Sequence, residues 1–424
     1  MAASLDPVSI PLGSSLGLAF LFLGCVLFAG IAALSHSHER AYSAAMIYLV
    51  LGVGAGLVVH HLGVGRLASP RRDPEVLEFV TDGALVLALF STGMRIRRKP
   101  TVDGWHLSLR LILVALPAMV ALVAVWGRGL MGLGLGAAIA LGAALAPTDP
   151  VLAGDLGVDP PHEEEKEDEP EPEFVLTTEA GMNDGAGLPF LLLGVAVARG
   201  DSLWAWAGTH LVYSVVVGAV VGAATGRLLA FAASWLRERE FLSADFDRWV
   251  GLAAAFAVYG LAEAIGSLGF VAAFAGGVAF RRHELDGQYL RDVHDGASVL
   301  KHFAELTVIL LLGSMLALGG FGAAGAWGIA LAPVAVFVIR PATAFLTLLG
   351  TSRLTMRERL WVAWFGVKGV ASLNYAALVA AAAAFTSHDA GAVVWAVLTT
   401  VTLSVLVHGL TSTPLTRRLL GAER

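Results

Sequence analysis

Between Thr178 and Gly187 the chain carries two carboxylates and an amide, Glu179, Asn183 and Asp184, inside an apolar segment that runs from Phe174 to Val197. A charged side chain at the centre of a bilayer costs roughly 2.5–3.5 kcal/mol even on the mildest scale, so such groups are seldom kept there without a use. On a helix that advances about 100° per residue, Glu179 and Asp184 lie about 140° apart, while Asn183 sits one turn beyond Glu179 on the same side. Asp184 is therefore the better candidate for a lone binding carboxylate. Glu179, nearer one membrane surface, is placed to lock onto a cation from another helix.

Three further stretches place chemistry in apolar surroundings. In Ala146-Pro147-Thr148-Asp149-Pro150 two prolines three apart remove backbone donors and disfavour helical geometry before each. The spacing predicts a helix that unwinds around Thr148 and Asp149, and broken backbone at that depth survives only where it lines a cavity or is buried in protein. Thr148 then offers hydroxyl and carbonyl oxygens to a cation, and Asp149 can satisfy exposed helix ends. Arg340, followed by Pro341, lies in the middle of an otherwise uncharged run, and Lys368 stands between Gly366 and Gly369. Cations at such depth pair with buried acids or backbone carbonyls, so the expected pairs are Arg340 with Glu179 and Asn183, and Lys368 with Asp149. Glu78, Asp82, Arg110, Glu263 and Glu305 are read as pathway-lining groups or, for most of them, as members of structural pairs.

The elements that must position these groups are membrane spans. The chain has 424 residues, 57% hydrophobic and 15% charged, and apolar runs of about 20 residues recur throughout, the length a bilayer crossing requires. Thirteen spans are expected, at roughly 14–34, 43–64, 76–94, 107–126, 130–154, 174–198, 204–233, 249–265, 267–280, 299–319, 324–350, 360–384 and 390–413. With the N-terminus outside and the C-terminus in the cytoplasm, the cytoplasmic segments hold about 19 Lys and Arg against about 5 on the other face. Residues 155–173 then form an acidic cytoplasmic loop, whose 162–173 run of like charges and prolines is read as solvated chain.

Other chemistries find no foothold. The single Cys25 excludes an internal disulfide, and no basic residue precedes the first apolar run as a cleaved leader would require. His60, His61, His210 and His408 have no acid or histidine at metal-ligand spacing, HExxH is absent, and no GxxxxGK[ST] loop occurs. An enzyme, an ATP-driven pump within this chain and a nucleic-acid partner are therefore not expected, nor is any cofactor.

Spans five and twelve, the first broken at Thr148-Asp149 and the second carrying Lys368 between glycines, hold corresponding places in two six-span blocks. Because seven spans separate them, equivalent helices run in opposite directions, giving an inverted repeat as in many secondary transporters. Repeat one is expected at about 14–198, a linking helix at about 204–233 and repeat two at about 249–413, within one all-α polytopic membrane domain.

Taken in order, Thr148-Asp149-Pro150, Glu179 with Asn183-Asp184, Arg340-Pro341, Lys368-Gly369 with Ser372, and Val407-His408-Gly409-Leu410-Thr411 resemble the monovalent cation:proton antiporter family, in its prokaryotic sodium/proton exchanger branch. The resemblance implies crossed discontinuous helices in a six-helix core beside a dimerisation domain, and hence a homodimer in the cell (inner) membrane. It implies that Asp184 binds the cation or proton, with Asn183 and with Thr148 as a further ligand of Na+, supported by Glu179, Asp149, Arg340 and Lys368. The Asn-Asp pair implies electroneutral exchange of one Na+, Li+ or K+ for one H+. The family often has serine where Ala180 stands, usually arginine at Lys368 and frequently an acid near Ser91-Thr92. The rival readings are a sodium-coupled organic-anion symporter, which needs an anion pocket, and a cation channel, which passes current without counter-transport.

Overall fold

The computed structural model describes residues 44–61, 69–70, 73–96, 98–149, 170–243, 246–283, 287–317 and 319–421, with isolated positions in 17–28. Among the described residues every regular element is helical. In order these are α1 (Ala44–His61), α2 (Pro74–Arg95), α3 (Val102–Gly129), α4 (Leu135–Leu145), α5 (Glu171–Arg199), α6 (Leu203–Glu238), α7 (Asp247–Ala264), α8 (Gly269–His283), α9 (Gly287–Leu316), α10 (Gly325–Thr347), α11 (Met356–Trp364), α12 (Val370–Ala381) and α13 (Ser387–Leu420).

Twelve of the expected spans correspond to these helices, with span twelve divided into α11 and α12; the first, 14–34, is described only at isolated positions. Among the described residues eight helices are long and apolar enough to cross a membrane: α1, α2, α3, α5, α6, the Gly296–Leu316 part of α9, α10 and α13. The others fall short for visible reasons. The break after Leu145 stops α4 at 11 residues, and the break before Val370 leaves α12 with 12. Helix α7 carries Asp247, Arg248 and Glu263, while α8 has 15 residues.

The helix that holds the acidic stretch starts earlier than the apolar run suggests. Pro170 stands before its first turn, Glu171 and Glu173 lie in that turn, where carboxylates oppose the positive end of the helix dipole, and Gly200 closes the far end at φ 75°. The end of the expected acidic loop is therefore the first turn of α5; residues 150–169 lie outside the described residues.

Proline also shapes α3 and α10. Each contains a π-helical turn, Leu111–Ala115 and Ala335–Ile339, placed just before Pro117 and Pro341. A proline has no N–H to return to the fourth preceding carbonyl, and a widened turn absorbs the mismatch. These two helices are spans four and eleven, the positions that an inverted repeat pairs.

Helix α2 lies at the centre of the packing, against α7, α8, α9 and α12, while α4 is held between α3 and α5. The broken segments after α4 and between α11 and α12 meet beside α5.

Candidate functional site

The two breaks are stitched to one another. The amide of Asp149 donates to the Val367 carbonyl at 2.8 Å, and the amide of Val370, in the first turn of α12, donates to Asp149 Oδ2 at 3.1 Å. In return Lys368 Nζ donates to the carbonyls of Ala146 at 3.1 Å and Pro147 at 2.9 Å, just past the end of α4. Each half-helix end thus receives the charge its dipole favours, an anion at the N-terminus of α12 and a cation at the C-terminus of α4. Among the described residues the expected ion pair of Lys368 with Asp149 is replaced by these main-chain contacts. The lysine is spent on carbonyls and the aspartate on an amide, because unwinding a helix exposes both kinds of orphan group.

Gly366 and Gly369 are needed for this arrangement. A Cβ at Gly366 would collide with the Arg340 side chain, and one at Gly369 with the carboxylate of Asp149. The glycine bracket around Lys368 is room for two other residues' charged groups.

His408 on α13 fastens the same break from behind. Its Nε2 lies 3.0 Å from the carbonyl of Trp364, the last residue of α11, and its Nδ1 lies 3.1 Å from the hydroxyl of Ser404, which itself accepts the amide of Lys368 at 2.8 Å. The Nδ1 also lies 2.9 Å from the Ser404 main-chain carbonyl, so each ring nitrogen faces a carbonyl and a neutral ring donates to one of the two.

On α5, Glu179 and Asn183 face the break. Arg340 Nη2 donates to Glu179 Oε2 at 2.8 Å, with both side chains almost wholly buried. Asn183 Nδ2 donates to Glu179 Oε1 at 3.0 Å and to Thr148 Oγ1 at 2.7 Å, and its Oδ1 accepts the Thr148 amide at 3.1 Å. Thr148 Oγ1 also lies 3.4 Å from Glu179 Oε2. The Arg340–Glu179 pair is as expected; Asn183 is reached by Arg340 only through Glu179.

Asp184, one residue further on, belongs to no such bond. It is 2% exposed, and among the described residues its Oδ1 has no hydrogen-bond partner. Asp149, Glu179 and Lys368 lie within electrostatic reach of it. Its main-chain carbonyl accepts the Tyr375 hydroxyl from α12. Neither Tyr375 nor its neighbour Asn374 was picked out by sequence reasoning; the only signal was two polar side chains in the first turns of an apolar half-helix. The geometry therefore supplies one unbonded buried carboxylate, a threonine held at backbone and hydroxyl, and a second acid already neutralised by arginine. Among the described residues no three His, Cys, Asp or Glu are placed to hold a metal ion, so a bound cation would rely on neutral oxygens and one carboxylate.

Of the remaining intramembrane charges, Glu78, Asp82 and Glu263 pair with no basic side chain among the described residues, and Arg110 donates to the Leu349 carbonyl. Among the described residues none of these four forms an ion pair. Asp82 is bonded instead by Asn374 and Tyr259.

Helices broken and crossed in this way, with charges at the crossing, define an antiporter-type membrane fold. Two solved structures of the sodium proton antiporter MjNhaP1 from Methanocaldococcus jannaschii share it. The structure at pH 8 matches with a TM-score of 0.69 at 18% identity, over 93% of this chain and 100% of that one. The one from an electron microscopy map matches at 0.70 and 20% identity, over 97% and 100%. In sequence, the Na(+)/H(+) exchanger YjcE of Escherichia coli (strain K12), itself uncharacterized, is 32% identical over 263 residues; the match takes in 53% of this chain, which spans 45% of that protein. Residues 23–418 match the family described as sodium/hydrogen exchanger, transmembrane, and the chain belongs to that family.

Proposed function

We propose that the protein is a secondary antiporter that exchanges a monovalent cation, Na+ first among Na+, Li+ and K+, for a proton across the cell membrane. The observation that carries this reading is the buried Asp184 carboxylate, whose Oδ1 has no bond among the described residues while every neighbouring charge at the crossing is engaged. Asp184 holds either a partly dehydrated cation or a proton. Thr148 supplies further oxygen, and Asn183 fixes Thr148 in place. Competition for a single carboxylate couples the two fluxes without a separate device, and access alternates between the two faces as the domain carrying the crossing moves. One cation per proton makes the cycle electroneutral. The N-terminus outside, the C-terminus in the cytoplasm and a homodimer complete the proposal.

The test is dissipation of an imposed pH gradient in proteoliposomes on addition of NaCl, LiCl or KCl, with and without a membrane potential. The wild-type protein collapses the gradient at a rate that the potential leaves unchanged; Asp184→Asn, with an unaltered melting profile, does not collapse it. Exchange retained by Asp184→Asn removes the carboxylate from its role. Cation current without proton counterflow identifies a channel.

A further inference from the structure

A second polar cluster lies away from the crossing, where α2, α7 and α12 meet. Asn374 is fully buried on α12, and its Nδ2 donates to Thr81 Oγ1 at 3.0 Å and to Asp82 Oδ1 at 2.6 Å. Tyr259 on α7 donates its hydroxyl to Asp82 Oδ2 at 3.3 Å. Glu78 and Glu263 lie within electrostatic reach of Asp82, and Glu263 Oε1 accepts only a backbone amide, that of Gly269 at 2.8 Å.

Two observations set this apart from a structural polar knot. Asp82 and Glu78 are half-buried and Glu263 is exposed, and no basic side chain is paired to any of the three among the described residues, whereas intramembrane acids ordinarily find a counter-charge. The second observation is independent. The Oδ1 of Asn374, in the amide whose nitrogen grips Asp82, is buried without a partner among the described residues. A buried carbonyl with nothing to accept costs about 1–3 kcal/mol, and beside an unneutralised carboxylate it presents what a hard monovalent cation takes: a charged oxygen with neutral oxygens around it.

The cluster is linked to the crossing by two adjacent residues of α12. Asn374 touches Asp82, and Tyr375 donates to the main-chain carbonyl of Asp184. On the topology expected from charge placement, the cluster lies in the outer half of the membrane.

We propose that Thr81, Asp82, Asn374 and Tyr259 form a second binding station for the transported monovalent cation, on the outer side of Asp184, from which the ion passes along the first turns of α12. The station rests on the exchange reading above, and its test is built so that the two can fail separately.

The purified full chain in detergent is melted in NaCl, and in choline chloride of equal ionic strength, as wild type, Asp184→Asn, Asp82→Asn and the double variant. Asp82→Asn keeps an acceptor for Asn374 and a partner for Tyr259 while removing the charge. The expected result is that Asp184→Asn retains a sodium-dependent rise in melting temperature that the double variant lacks. A flat response in Asp184→Asn overturns the station, as does a rise that survives in the double variant; neither outcome bears on whether wild type exchanges. In proteoliposomes Asp82→Asn raises the half-saturating Na+ concentration about tenfold with maximal rate little changed, the loss expected of one charged ligand. An unchanged half-saturating concentration in Asp82→Asn also overturns the station, while Asp184→Asn reports separately on the exchange reading. If Asp82→Asn fails to fold, Asn374→Ala and Tyr259→Phe in the Asp184→Asn background give the same readout.

Discussion

Removing either half of the Arg340–Glu179 pair should cost far more than removing both. The two side chains meet at 2.8 Å with 4% and 3% of their surfaces exposed, so the pair is screened by protein and not by water. With an effective dielectric near 20, unit charges about 4 Å apart attract by about 4 kcal/mol. Glu179→Gln keeps one acceptor oxygen, which Asn183 can use, and puts an NH2 in place of the oxygen that faces Thr148 and Arg340, leaving a buried guanidinium whose Nε already has no partner among the described residues. Arg340→Met leaves a buried carboxylate held by neutral donors. Each single change is expected to destabilise by about 3–5 kcal/mol. The double variant Glu179→Gln with Arg340→Met buries no unpaired charge and should lie within about 2 kcal/mol of wild type, which sets the coupling at about 4 kcal/mol or more. Unfolding of all four proteins in detergent, followed by tryptophan fluorescence, measures it. If the single changes add to the double within about 1 kcal/mol, the pair is not the electrostatic unit its geometry describes. The same reasoning requires the double variant to retain exchange, because Asp184 is untouched.

Two further results should follow from the crossing. Gly369→Ala forces a Cβ onto the Asp149 carboxylate and uncaps the α12 amide of Val370; Gly366→Ala displaces the Arg340 side chain in the same way. Each should lower stability by about 1–3 kcal/mol, read as a lower melting temperature, and slow gradient dissipation in proteoliposomes. His408→Ala strips the Trp364 carbonyl and the Ser404 hydroxyl of their ring partner. Its cost should be about 1–3 kcal/mol by unfolding, with sodium dependence of transport preserved because the ring lies behind the break and touches no proposed cation ligand.

Spans were legible because a bilayer demands long apolar runs, and the break at Thr148 because two prolines three apart cannot both continue a helix. The Arg340–Glu179 contact was legible for a related reason: a mid-membrane guanidinium must find an acid, and few were on offer. The partner of Lys368 was not. Lysine met carbonyls of Ala146 and Pro147, and since every residue carries a carbonyl, residue types leave no trace of which ones a broken helix exposes. The start of α5 was hidden because Glu171 and Glu173 read as solvated acid in one dimension and as helix-end charges in three. Asn374 and Tyr375 were hidden because a neutral polar side chain on an apolar helix costs too little to demand an explanation.

What the crossing achieves follows from its accounting of charge. Unwinding two helices exposes carbonyls on one side and amides on the other, and Lys368 and Asp149, each supplied by the opposite break, are consumed in capping them. Arg340 is consumed by Glu179, and Asn183 by Thr148 and Glu179. Had Lys368 paired with Asp149, both half-helix ends would stand uncapped. Had Arg340 reached past Glu179, a cation arriving at Asp184 would meet a guanidinium already in its place. The network therefore leaves both fixed cations bonded elsewhere and neither in contact with Asp184, and a carboxylate left in that condition inside a bundle has two ways to be satisfied, a proton or a mobile cation.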